Sequence, residues 1–428
     1  MKVAVTHEAW QEPALLQQQR HSPAQAIPTL RQWQQSALMD FLRHSFPNRS
    51  DEDWKYTRVA QIADHDFAMP MESTSSVTPD LHFIPDAYRV VFVDGKFQTQ
   101  WSHLPDFVVV AETLHQLKEI EWHEYLSFDT RYATPFSALN AALLTDGFFL
   151  LVPANGVLTK PIHFIYYQSA GETPLMHHAR HFIIAKENSE FTIVEEYVGV
   201  GHYFNNIVMQ IFVEKGATLT HYKIQHESRS AQHISNTLMM LGRDSSVFSY
   251  VVSLGGSLSR DNLSVNFQDE NASCHLYGLY FPCGQQLMDH HTRIDHRVPN
   301  CFSQQQYKGI IADKGHAVFN GKIYVHPGAQ KTSAYQNNKN LLLDSTAEVN
   351  TKPELEIYAD DVKCTHGATV GQIDENALFY LRSRGIDEVF ARRLLMRGFA
   401  EEILLNITQQ TMIRYLRQKI TQQLEVLS

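Results

Sequence analysis

The sequence predicts a mainly β protein, a right-handed parallel β-helix core flanked by α-helical domains at both ends. Three observations carry this. The first seventy or so residues and those past about 373 have apolar residues at helical spacing. Between them lie short β-branched and aromatic runs. From about 181 onward, polar corners recur roughly every 26 to 29 residues, a repeat-architecture period. The expected divisions are a helical domain with linker over 1–80, the β-helix over 81–372, and a C-terminal helical domain over 373–428.

At 428 residues the chain is too long for one ordinary core, unless a solenoid spreads that core along an axis. In IPTLRQWQQSALMDFLRHSF, residues Leu30, Trp33, Ala37, Phe41 and Leu42 mark a helix, which the polar break PNRSDEDWKYT (47–57) ends. The Pro- and Ser-rich stretch MPMESTSSVTPDLHF (69–83) reads as a linker. Strand texture begins with YRVVFVDGKFQ and FVVVAETL.

The corners AKENSEFTI, VEKGATLTH, GRDSSVFSY and QDENASCHL each precede an apolar strand. ADKGHAVFN (312–320) and LDSTAEVNT (343–351) are read as continuing the series after a longer gap around 290–305. Two or three short strands per unit, with no helix between, suit one coil of a parallel β-helix. A sandwich of hairpins is the alternative, though the Asn-Gly turns that would mark hairpins are sparse; Asn155-Gly156 and Asn320-Gly321 are the exceptions. At the C-terminal end, Leu378, Leu381, Val389, Phe390 and Leu394, then Met412, Ile413, Leu416, Ile420 and Leu424, give amphipathic helices. Gly385 is placed to end one helix and Asp387 to cap the next.

A net charge of -10 argues against nucleic acid or an anionic membrane as the main partner, because phosphate binding needs concentrated Lys and Arg. No run is long and apolar enough for a membrane span or a signal peptide, so the expected compartment is the cytoplasm. Four cysteines without CxxC spacing suit reduced thiols better than a disulfide frame or a closed zinc knuckle. The 23 histidines are scattered, and only DHHTRIDH (289–296) is dense.

DDVKCTHGAT (360–369) is the first candidate for chemistry. On a strand, Cys364 and His366 share a face, which lets a thiolate and an imidazole approach one soft metal ion or cluster edge. Two ligands do not complete a site, so the remainder would come from another chain or a substrate. The bland alternative makes Cys364 a small buried hydrophobe and His366 a satisfied corner histidine. In DHHTRIDH, Asp289, His291 and Asp295 could gather around a metal, although such runs are more often exposed polar faces.

GHAVFNGK (315–322) has the wrong glycine spacing for a phosphate loop and carries Ile323 where Ser or Thr is required. GVGHYF (199–204) reads as a turn, and no hydrolase or metalloprotease motif is present. A polysaccharide-acting β-helix enzyme would need paired carboxylates on one face, and the adjacent Asp360 and Asp361 would point opposite ways along a strand.

The block 308–386, from KGIIADKGHAVFNGKIYVHPGAQ through QNNKNLLL to YADDVKCTHGATVGQIDENALFYLRSRGI, resembles the core and C-terminal signature of the SufB/SufD family, paired scaffold subunits of the SUF iron-sulfur cluster assembly machine. PNRSDEDWKYT extends the likeness to nearly the whole chain. Within the family the chain is similar to the SufD branch: the SufB branch carries a sulfur-receiving cysteine close to the position of Asn338, and its counterpart of Cys-Thr-His is Glu-His-Glu in character.

The resemblance implies a non-catalytic subunit that pairs with SufB through β-helix ends near Cys364. Its helices around Gln372 to Phe399 would dock the ATPase SufC, with Gln372, Asp374, Leu378, Tyr380, Phe390 and Phe399 as contacts. It further implies that His366, with Cys364, helps hold iron or a nascent iron-sulfur cluster shared with SufB, while this chain binds no nucleotide itself. A homodimer in the absence of SufB, and a purely structural subunit, are the open alternatives.

Overall fold

Short strands with alternating side chains bury one face each by stacking into two parallel sheets that face one another. The structure is a computed structural model describing residues 10–20, 22, 28–69, 81–106, 108–111, 125, 132–169, 171 and 173–427. Most of the expected linker, 70–80, lies outside the described residues.

Sheet I runs in the order Lys96–Phe97, Tyr88–Val93, Ile162–Gln168, Glu190–Gly199, Thr218–His226, Ser246–Ser253, Ser273–Tyr280, Phe302–Ile311, Ser333–Leu342 and Lys363–Gly371. Sheet II runs Glu348–Ile357, His316–Val325, Leu287–His296, Leu258–Phe267, Gln232–Leu241, Tyr203–Val213, Ala179–Ala185, Asp146–Val152 and Val109–Ala111. The chain crosses between sheets at each corner, so a coil has two strands and residues one coil apart become neighbours. Eight coils stack from Asp146–Val152 with Ile162–Gln168 to Glu348–Ile357 with Lys363–Gly371. The fold is the expected parallel β-solenoid, and not a sandwich of hairpins.

The corners explain the period. Asn155, Asn188, Gly216, Asp244, Asn271, Asn300 and Lys331 all adopt positive φ, a conformation that Gly, Asn and Asp tolerate best. Several are stitched to the next coil: the N–H of Asn188 donates to Lys215 C=O at 2.9 Å, that of Gly216 to Arg243 C=O at 2.9 Å, and that of Asn300 to Gln330 C=O at 3.0 Å. The series therefore continues through Asn300 and Lys331 without a gap. ADKGH and LDSTA belong to the opposite edge of the solenoid, with Gly256 and Gly284. The sequence reading merged two edges because both use the same turn chemistry.

Inside, apolar columns run along the stack. Phe191, Leu219, Val247, Cys274, Ser303, Ala334 and Cys364 are successive register partners. The N-terminal helices Glu12–Gln19 and Pro28–His44 pack with the helix Pro135–Ala142 over the outer face of sheet II, sharing Phe41, Trp54, Phe136, Phe204 and Ile234 in one cluster. The PNRSDEDWKYT segment is pinned there: Trp54 lies under the Arg260 guanidinium at 3.6 Å, and Thr57 donates to Asp289.

The C-terminal helices Glu375–Ser383, Glu388–Leu404 and Gln410–Val426 cover the outer face of sheet I. There Met412, Leu416, Ile420 and Leu424 meet a ladder of stacked rings, Tyr222, Tyr250 and Tyr277. Asp387 caps its helix by accepting from Phe390 N–H at 3.0 Å, and Gly385 takes positive φ at the preceding turn, as expected.

Candidate functional site

The strand Lys363–Gly371 is the last of sheet I and Glu348–Ile357 the last of sheet II. In a parallel stack each strand needs a neighbour on both sides. Among the described residues these two have one each, so the solenoid ends on two exposed edges of unpaired backbone groups. Pro353 sits in one of them, where a residue lacking an N–H is tolerated. The face that points inward on earlier coils is half open here. Val349, Leu355 and Cys364 still pack on the core, while His366 and Val370 are exposed.

Asp360 and Asp361 fall in the corner before the strand, which begins at Lys363. The DDVKCTHGAT segment is therefore half corner and half strand. Cys364 and His366 do share the inward face, as their register partners Ala334 and Gln336 show by being buried. Burial pushes the Cys364 thiol up from its usual range, partly offset by the Ala334 backbone N–H, so the thiol holds its proton at neutral pH. Tyr335, Ile357, Tyr358 and Val370 give this end an apolar fringe of exposed side chains.

Among the described residues no group of three or more His, Cys, Asp or Glu side chains is placed to hold a metal ion. Cys364 and His366 stand there as a pair with no third such side chain beside them. Asp289, His291 and Asp295 share the outer face of sheet II but are engaged in separate pairs. Asp289 meets Arg260 at 2.8 Å and His291 at 3.1 Å; Asp295 meets Arg293 at 2.7 Å. DHHTRIDH is not an exposed polar face. Asp289 and Asp295 are buried on the outer side, and His290, Thr292 and His296 are buried on the inner side.

The residues expected at a docking surface are distributed on the C-terminal helices. Gln372 and Asp374 are exposed, Asp374 as a helix cap accepting from Asn376 and Ala377 N–H. Tyr380 and Phe390 are exposed, beside Phe379 and Val389. Leu378 instead points inward and is buried, so it anchors its helix. Phe399 packs against Lys308, whose Nζ lies 4.0 Å from the ring centroid and donates to the Phe399 carbonyl at 2.9 Å.

The sequence reading missed a polar seam in the solenoid interior. His221 lies 2.6 Å from Glu195, His233 lies 2.8 Å from Glu227, and Lys223 lies 2.7 Å from Asp261. All six side chains are nearly inaccessible. Burial pushes Asp261 up, but Lys223 and His290 nearby more than reverse this and hold it down at about 2.

The seam continues toward the open end. Tyr280 donates to Asn340 at 2.7 Å, Asn338 donates to the Tyr280 hydroxyl at 2.9 Å, and Thr351 donates to Asn338 at 2.8 Å. Asn338, the position singled out by the resemblance, is therefore an interior residue one coil from the end. The one available signal was polar residues separated by a coil length, such as Glu195 and Lys223, which are register partners.

Comparison with known proteins places this arrangement. Residues 166–399 match the family described as the SUF system FeS cluster assembly SufBD core domain, and residues 13–164 match the SufBD protein N-terminal region. An iron-sulfur cluster assembly SufBD family protein of Synechocystis is 35% identical over 395 residues, spanning 88% of this chain and 87% of that protein. Iron-sulfur cluster assembly protein SufD of Escherichia coli is 34% identical over 399 residues, 90% of this chain and 91% of that protein. A chloroplastic Arabidopsis thaliana protein, ABCI7, is 32% identical over 403 residues, 90% and 83% respectively.

Proposed function

The chain belongs to the SufBD family of the SUF iron-sulfur cluster assembly system, and on that premise we propose that it is a non-catalytic scaffold subunit working in the cytoplasm. Its open solenoid end pairs with the paralogous subunit SufB, and its C-terminal helices dock the ATPase SufC. The observation that carries this reading is the open end itself: two long unpaired strand edges with Cys364 and His366 on the inward face. A second solenoid adding strands there would satisfy the edge backbone groups and bury the fringe of Tyr335, Ile357, Tyr358 and Val370.

In this role the cluster or its iron is cargo held at the junction. His366 offers an imidazole nitrogen. Cys364 offers sulfur once a metal or the partner draws off its proton. Donors from the second subunit would complete the shell, since among the described residues no third His, Cys, Asp or Glu stands with this pair. The exposed rings Phe379, Tyr380 and Phe390 suit a helical docking surface for a protein partner.

The test is the iron and acid-labile sulfide content of the complex co-expressed with SufB and SufC, wild type against His366→Ala, after chromatography confirms equal assembly. A large loss of cluster from an intact complex is the expected result. Undiminished cluster would leave this subunit as architecture alone.

A further inference from the structure

On the inward face of sheet I, Gln305, Gln336 and His366 are successive register partners in the last three coils. The two amides form a directional ladder. Gln305 Nε2 donates to Thr292 Oγ1 across the interior, and Gln336 Nε2 donates to Gln305 Oε1 at 2.9 Å. Gln305 thus donates within its own coil and Gln336 toward the preceding one.

The Gln336 amide is also fixed sideways, because it lies directly over Gly321: a Cβ at that glycine would stand 1.9 Å from Nε2. With the nitrogen held this way, Oε1 is left buried with no partner among the described residues, in a side chain that is 3% exposed. An unpaired buried acceptor is unfavourable, so the site favours a donor.

The next rung supplies one candidate. His366 stands one strand spacing beyond Gln336, about 4.8 Å away along the stack. On the facing sheet the register partner of Gly321 is Pro353, which has no N–H to give. An imidazole that donates one N–H must keep its other nitrogen as a lone pair, and metal-binding histidines are commonly fixed by such a hydrogen bond.

We propose that Gln336 is a positioning residue for His366: the exposed imidazole turns onto the unpartnered Oε1 and donates one ring N–H to it, fixing the tautomer so that the other nitrogen faces out through the open end of the solenoid. The inference rests on His366 being a donor to iron or the nascent cluster. It explains why an amide lies beneath that histidine, and why a glycine lies beneath the amide.

The experiment uses the full chain labelled with 15N-histidine, with the His366 ring signals identified by their loss in His366→Ala. Wild type should show one dominant tautomer at His366, Gln336→Leu a mixture, and Gln336→Glu, which keeps an acceptor, a single tautomer again. In parallel, ferrous iron retention by the complex with SufB and SufC should fall roughly tenfold or more in Gln336→Leu and recover in Gln336→Glu.

A freely mixed tautomer in the wild-type protein overturns the proposal without any variant, so poor folding of Gln336→Leu does not shield it. An unchanged tautomer in Gln336→Leu overturns it as well. A shifted tautomer with unchanged iron in both Gln336→Leu and His366→Ala upholds the hydrogen bond but removes His366 from the iron site, and the positioning role falls with it.

Discussion

The two ends of the solenoid have opposite treatments. At the N-terminal end each sheet finishes on a very short antiparallel strand. Lys96–Phe97 folds back on Tyr88–Val93 through Asp94 and Gly95, both at positive φ, and Val109–Ala111 lies against Asp146–Val152. Phe92, Phe97, Phe148 and Tyr166 fill the interior there, with the Phe92 and Tyr166 rings stacked at 5.1 Å.

At the C-terminal end two long strands finish in register with no further strand beyond them among the described residues, and their inward face carries Cys364, Thr351 and His366. Short strands and reversed direction are how β proteins protect an edge from pairing. Among the described residues the chain applies that protection at one end and not at the other, and the proposed pairing rests on this contrast.

The strongest way to break this contrast is acid. Burial holds His177, His181 and His290 down at about 4 and His178 and His296 down at about 3, well below an ordinary imidazole. Each stays neutral in the folded chain while the unfolded chain takes up protons below about pH 6.5. Stability from these groups is therefore complete above that pH and declines as pH falls toward 4, by about 1.4 kcal/mol per unit for each histidine.

Asp261 and Glu196, both held at about 2, extend the decline below pH 4. Three of the five histidines lie within His177–His181, beside the closed end. Thermal midpoints should fall steeply from pH 7 to pH 5, and hydrogen exchange at pH 5 should show the first coils losing more protection than the last. A flat profile would contradict the neutral buried histidines.

Next in size is Phe92→Ala, which opens a cavity in the closed end. Loss of about 3–5 kcal/mol in denaturant titration is expected. A loss under 1 kcal/mol would mean that the aromatic plug is not what seals that end. The smallest effect belongs to the open end. Val370, 49% exposed, changed to Ala should alter the stability of the chain by no more than about 0.5 kcal/mol. The same variant should weaken association with SufB in titration, and equal affinity would remove Val370 from the proposed contact.

The coil was legible because its corners need Asn, Asp and Gly at positive φ, and these residues recur visibly in the sequence. Which edge each corner belongs to was not legible, since ADKGH and VEKGA present the same chemistry on opposite sides. Cys364 and His366 could be placed on one face by strand alternation alone. Their isolation at a terminal edge could not, because it depends on what fails to follow.

The interior seam was hidden for a different reason. Residues that look scattered along the chain, such as Glu195, His221 and Ser249, come together only after coils of roughly 28 residues superpose. DHHTRIDH looked solvent-facing because nothing local announces that Thr57 and Trp54 will cover it.

The exposed edge has a further consequence for fidelity. Side chains alternate faces along a strand, so a partner docking one residue out of step would turn every one of its inward groups outward. Such a mispaired complex would form many of the same backbone hydrogen bonds yet present nothing to Cys364 and His366. If the proposed pairing holds, recognition at this edge is discrete: correct alignments differ from incorrect ones by whole residues, and a nearly correct junction is chemically empty.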